Sequence, residues 1–261
     1  MSNISDPSHV DTLSKSIASI TIDDDAKTIV SAIKIQKCFR GYILRRNRLP
    51  SVMYTIQAYL KEQAFQFSNQ NDDGRINSCL DERPIIELLI QNFSKRIRIP
   101  STRYWYDILA YDYMYGWIPI NIKTTKTKTS DNTGNFAMCL YSYTNEILDI
   151  QDNKSYNNGM MSKRLIHKLK NKEYNFNNKK DYYFLILNKD KSTDIIVNSV
   201  KGLTTLTPNI NNLPFQVCWN NNRDFKFKNI KTNVKMLVDC IKRPKPSWIE
   251  DCLRDFRKLI V

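Results

Sequence analysis

An acid, an amide and an amine stand at spacings that suit metal-assisted cleavage of a phosphodiester. Asp107 opens the run Asp107-Ile108-Leu109-Ala110, and past Gly116 the chain continues Ile118-Pro119-Ile120-Asn121-Ile122-Lys123. Read as two strands joined by a tight turn, these segments bring Asp107 and Lys123 to neighbouring points on one sheet edge. Alternation puts Trp105, Asp107 and Leu109 on one face of the first strand, with Tyr104, Tyr106 and Ile108 on the other; Asn121 and Lys123 share a face of the second. At that spacing one residue can ligate a divalent ion while the next positions or deprotonates the attacking water, and Asp107 supplies a bridging carboxylate. The chemistry needs negative ligands to draw in a cation that polarises the phosphate. Asn121 stands where a second carboxylate is expected. Its carbonyl oxygen can ligate Mg²⁺ but carries no charge, so weaker metal affinity follows. The competing reading is an exposed hairpin with ordinary polar tips.

A second acid comes from the element upstream. Asp81 reads as an N-cap and Pro84 suits a first turn, so a helix over 81–95 is expected to begin near Glu82. At about 100° per residue Ile85, Ile86, Leu89, Ile90 and Phe93 form one stripe; Glu82 falls within it and Glu87 points away. An acid on an apolar face is costly unless it is paired or ligates a metal. Alternatively, Glu82 simply caps the helix N-terminus, where the dipole favours it.

The set of a helical Glu82 followed by Arg83, Asp107 before apolar residues, and Asn121-Ile122-Lys123 on a strand resembles the PD-(D/E)XK nuclease superfamily, which includes restriction endonucleases. The resemblance covers about residues 80–145 and, more loosely, the strands to about 230. It implies an α/β fold with a restriction-endonuclease-like mixed sheet flanked by helices. It also implies a Mg²⁺ (or Mn²⁺) ion held by Glu82, Asp107 and Asn121, with Lys123 orienting the water, and DNA as substrate. The pattern departs at Asn121, and at Tyr106, where the family has a proline. An inert site that only grips DNA is the alternative.

Around this set the chain carries a formal charge of +14, from 40 Lys+Arg against 26 Asp+Glu, which favours an anionic partner. Part of that excess reflects a chain rich in Lys, Asn and Ile. Lys126 and Lys128 alternate with threonines over 124–129 and suit phosphate contacts. Lys163 and Arg164 open a second basic run near Tyr174 and Phe176, and Gln216 or the asparagines after Trp219 suit base contacts. Solvated strand ends, helix faces and loops explain the same residues.

The third motif is independent of the others. Ile35-Gln36-Lys37-Cys38-Phe39-Arg40-Gly41-Tyr42-Ile43-Leu44-Arg45 fits every fixed position of IQxxxRGxxxR and resembles the IQ helices of myosin necks. Ile35 and Phe39 lie one turn apart, Arg40 and Arg45 suit acidic lobes, and Gly41 admits close approach. The resemblance implies calmodulin or a calmodulin-like light chain as partner, and a eukaryotic setting. Together with the nuclease-like core it suggests a large DNA virus of eukaryotes, acting in the host cytoplasm or nucleus or within the virion. A basic helix that packs on the domain or touches DNA is the alternative.

Four parts are expected: a Ser/Asp-rich disordered tail at 1–26, the IQ helix at 27–49, a nuclease-like domain at 50–235, and a C-terminal helix at 236–261 opened by the capping box Ser247-Trp248-Ile249-Glu250. Within the domain, helical patterns run over 51–67 and 134–149, a polar loop over 68–78, and apolar strands over 182–187 and 195–200. The six cysteines are scattered and only two histidines occur, which argues against structural zinc and a histidine triad and for a reducing, intracellular setting. No apolar leader or span appears, so secretion and membrane insertion are not expected.

Overall fold

The computed structural model describes residues 29–38, 48–63, 65–67, 74–101, 104–148, 158–209 and 213–242, with Arg254 and Lys258. The chain divides into two compact units, 1–48 and 49–261. In the first, residues 29–38 form a helix, α1, whose Ile29, Val30, Ile33 and Ile35 are all exposed.

The second unit runs α2 (Ser51–Lys61), α3 (Gly74–Phe93), β1 (Ile97–Arg98), β2 (Ile108–Asp112), β3 (Gly116–Thr125), β4 (Ser130–Asp131), α4 (Phe136–Tyr143), α5 (Asn158–Lys170), β5 (Tyr183–Asn188), β6 (Ile195–Ser199), β7 (Val217–Cys218) and α6 (Ile230–Ile241). Five strands make one mixed sheet in the order β1-β2-β3-β5-β6, and β4 pairs with β7 apart from it. β1, β2 and β3 are an antiparallel meander. β5 lies parallel to β3, and β6 returns antiparallel beside β5. Parallel neighbours need a long crossover, and α4 and α5 supply it.

Period-two alternation divides the sheet's apolar residues between two layers. Ile108, Ile118, Ile120 and Leu185 pack with Val52, Ile56 and Leu60 of α2 and with Ile85 and Leu89 of α3. Leu109, Phe184 and Ile186 pack in a separate cluster with α4, α5 and α6. β5 sits between both layers, so all six of its residues are buried, as the unbroken run Tyr-Phe-Leu-Ile-Leu-Asn suggests.

The hairpin before β3 is fastened by Asp112. Its carboxylate accepts from Met114 N (2.9 Å) and Tyr115 N (3.2 Å) in the turn, and from Ser51 Oγ (2.7 Å) and Val52 N (3.1 Å) at the start of α2. Burial would raise its pKa, but these four donors outweigh burial and hold it below the usual carboxylate range. Gly116 follows at φ +73°, a left-handed position that glycine takes without steric cost.

Several expected boundaries move. α3 begins at Gly74, so Asp81 and Glu82 lie inside it and Pro84 is interior rather than in a first turn. Asp81 is no N-cap: its carboxylate pairs with Lys189 Nζ at 2.9 Å. Helix α2 ends at Lys61, short of residue 67. α4 is confined to Phe136–Tyr143, capped by Asn135, whose side chain accepts from Met138 N at 2.7 Å. Residues 105–107 bend instead of extending, and Tyr104 and Tyr106 pack with Trp105 and Leu109 rather than on the face of Ile108. The boundary expected at 235/236 falls inside α6, a helix the sequence reading overlooked. The capping box at 247–250 lies outside the described residues.

Candidate active site

β2 and β3 deliver the acid and the amide together. Asp107 precedes β2, yet its N–H donates to Ile120 O at 3.0 Å, which holds it against β3 beside Asn121. Its Oδ2 accepts two hydrogen bonds of 2.7 Å, from Asn121 Nδ2 and from Ile122 N. Tyr182, whose hydroxyl donates to Trp105 O at 2.9 Å, sits beside the Asn121 amide. The Asn121 Oδ1 atom is buried with no hydrogen-bond partner. A buried carbonyl oxygen in that state is costly, unless something outside the protein's own atoms takes its lone pairs.

Glu82 reaches the same place from α3. It lies two turns into the helix, so a helix-capping role is ruled out. Thr124 N, near the end of β3, donates to Glu82 Oε1 at 3.4 Å. Alongside, Lys189 follows β5, its N–H bonds Thr125 O at 3.1 Å, and its amine holds Asp81. The Asp81–Lys189 pair thus anchors the helix against the end of the β3–β5 pair and fixes where Glu82 emerges.

The electrostatics follow from burial. Glu82 has its pKa raised to about 7, chiefly by loss of hydration and further by Asp107 and Asp131; Lys123 and the Thr124 N–H oppose the rise. Asp107 is raised to about 6 by burial, against the Ile122 N–H and Lys123. Lys123 is therefore close enough to be felt by both carboxyls, although it forms no ion pair among the described residues. Two carboxyls held up by burial in one place are a configuration that an added cation relieves.

All four residues singled out for chemistry thus meet: Glu82, Asp107, Asn121 and Lys123. Among the described residues, no three His, Cys, Asp or Glu side chains gather tightly enough to cage a metal alone. The oxygen set is two carboxylates and one amide, and Mg²⁺ commonly takes one or two carboxylates and keeps several waters. The donor chemistry and the orphaned Asn121 oxygen therefore fit a hard divalent cation. The sequence reading missed Asp131, the second acid that Glu82 feels; its carboxylate is held by Thr133 Oγ1 at 2.9 Å and Trp219 Nε1 at 3.5 Å.

The residues proposed for nucleic-acid contact fare unevenly. Lys126, Lys128 and Lys163 are exposed, whereas Thr124 and Thr127 of the same 124–129 run as the first two are buried and unavailable to a phosphate. Arg164 is paired with Glu146, and Lys168 with Glu173 at 2.6 Å, so two cations of that run are already engaged. Gln216 donates to Asn132 Oδ1 at 2.7 Å and its backbone pairs with Thr207. Trp219 is fully buried and the Asn222 side chain bonds Thr204, Thr205 and Cys218, so both serve the fold. These pairings are long-range and carry no local signal. His167 is exposed on α5.

Compared with known protein families, residues 29–47 match the IQ calmodulin-binding motif. No curated protein and no solved structure matches the chain. The chain thus carries an IQ motif, of which Ile35 and Gln36 are exposed on α1, while Phe39, Arg40, Gly41 and Arg45 lie outside the described residues. Among the described residues, no helix is long and apolar enough to cross a membrane.

Proposed function

We propose that the 49–261 unit is a divalent-metal-dependent DNA endonuclease of the PD-(D/E)XK kind, working in an intracellular setting and tethered through its IQ motif to a calmodulin-like protein. The observation that carries this reading is the meeting of Glu82, Asp107 and Asn121 with Lys123 at one end of a mixed sheet, two of the acids with raised pKa and the amide oxygen unpartnered. Glu82, Asp107 and Asn121 Oδ1 would hold Mg²⁺ or Mn²⁺. When bound, such an ion polarises the scissile phosphate and eases loss of a proton from water. The chain's own residues do the rest. Ile122 N–H and the Asn121 amide fix the Asp107 carboxylate by two bonds to its Oδ2, so that its other oxygen would serve the ion. Lys123 offsets the negative charge that accumulates on the phosphate and orients the attacking water. Nicking of supercoiled plasmid by the purified protein, lost in EDTA and in Asp107→Ala, is the expected result. No cleavage with either Mg²⁺ or Mn²⁺ would refute the enzymatic reading.

A second reading rests on the IQ motif together with the neutral Asn121: an inert nuclease-like fold serving as a calmodulin-binding adaptor. It expects calmodulin pull-down that is lost in Ile35→Ala/Gln36→Ala, and no nicking under any metal condition.

A further inference from the structure

The sheet face that bears Asn121 runs past the buried Leu109 and Pro119 to a patch of aromatic and arginine side chains at its far end. Residues four apart on a strand share a face, so Trp117 lies on the side of Asn121. Tyr111 and Trp117 are themselves register partners across β2 and β3, with ring centroids 5.3 Å apart. From β1, Arg98 pairs with Leu109 on the same face, and its guanidinium lies 4.0 Å from the centre of the Trp117 ring. Arg96 grips Tyr111 O with two nitrogens (3.1 and 3.0 Å) and stands 5.0 Å above the ring of Tyr113. Tyr113, at the hairpin tip, is 79 % exposed and stacks edge-on to Tyr111 at 5.9 Å.

Neither arginine pairs with a carboxylate among the described residues, so the patch keeps its positive charge in a chain of net +14. Trp117 and Tyr111 are only half-buried. Trp117 packs on the margin of the core, while Tyr111 and Tyr113 carry the edge-to-face contacts outward, and an edge strand guarded only against aggregation would need the charges but not the run of rings. Rings flanked by guanidinium planes suit unpaired bases, whose faces are free to stack, while Arg98 meets the phosphates between them. Duplex DNA offers base edges and no open faces.

We propose that this patch binds single-stranded DNA over Trp117 and Tyr111 to Tyr113, and so deepens the nuclease reading, on which it rests, by naming single strands or single-stranded flaps as the substrate class. At about 3.3 Å per residue, Trp117 lies on the order of 13 Å from Asn121 along β3, within a few nucleotides of the carboxylates. Arg96 is a positioning residue here, since both of the bonds it makes hold the hairpin.

Fluorescence anisotropy of the full-length protein with labelled oligo-dT and with a duplex of equal length, both in EDTA, tests the idea without any cleavage. The expected result is tighter binding of the single strand, weakened about tenfold or more by Trp117→Leu, by Arg98→Gln and by Tyr113→Ala. Tyr113 and Arg98 are exposed, so their variants decide the matter even if Trp117→Leu fails to fold. Equal affinity for duplex and single strand, or exposed-residue variants that melt like the parent and bind like it, would overturn the proposal. A protein that binds oligo-dT but never nicks DNA sinks the catalytic reading alone; one that nicks duplex but ignores oligo-dT sinks this one alone.

Discussion

Mg²⁺ binding should release protons, and the number released is set by two carboxyls. With pKa raised to about 7, Glu82 is about nine-tenths protonated at pH 6, and Asp107, raised to about 6, is about half protonated. Both must be ionised to ligate a cation, so binding at pH 6 expels about 1.4 protons, and at pH 8 about 0.1. Apparent affinity should therefore rise roughly twentyfold between pH 6 and 8, about 1.8 kcal/mol, before it levels off. Titration calorimetry of the metal-free protein, run in two buffers of different ionisation enthalpy at each pH, reads both the affinity and the proton count. Glu82→Gln should bind more weakly and lose most of the proton release. A Mg²⁺ affinity that stays flat from pH 6 to 8, or binding without proton release, would refute the assignment of these carboxyls as ligands.

Three further outcomes follow from the same geometry. Asn121→Asp replaces a donor 2.7 Å from the Asp107 carboxylate with a second anion, so the metal-free protein should lose roughly 1–3 kcal/mol of stability while Mg²⁺ stabilises the variant more than the parent; equal stabilisation of the two would argue that residue 121 is no ligand. Because the Glu82 pKa rises from 4.5 unfolded to about 7 folded, its contribution to stability is complete below pH 4.5 and is lost as pH climbs through 7, at most about 3 kcal/mol; melting of metal-free protein at pH 5 and pH 7.5 should show the fall, and Glu82→Gln should remove most of it. Lys189→Ala leaves the Asp81 carboxylate, 3 % exposed, without its cation and should cost roughly 3–5 kcal/mol in urea unfolding; a loss under about 1 kcal/mol would mean that the pair does not anchor α3.

The parts of the site that neighbours in sequence control were legible. The turn at Gly116, the antiparallel pairing of the segments around it, and the common face of Asn121 and Lys123 all follow from period-two alternation and one glycine. The IQ motif was equally plain, because its spacing is written on a single helix. Glu82 was found on the right helix for an incomplete reason: its inward direction held, but its expected place at the N-terminus did not, because α3 starts seven residues before Asp81. The signals read as a cap, Asp81 and Pro84, are compatible with a helix start without requiring one.

What only the tertiary structure decided are the pairings between residues far apart in the chain. The partner of Asp81 is Lys189, that of Arg164 is Glu146 across the end of a helical crossover, and the start of α2 is capped by Asp112 from the β2–β3 turn. The same holds for the parallel seating of β5 on β3, which sets the end of the sheet at which Glu82 meets Asp107. A strand or helix pattern records which side of an element is apolar. Which distant charge that side meets depends on how the layers close over one another, a choice made by the packing of whole faces and left unwritten in any local run of residues.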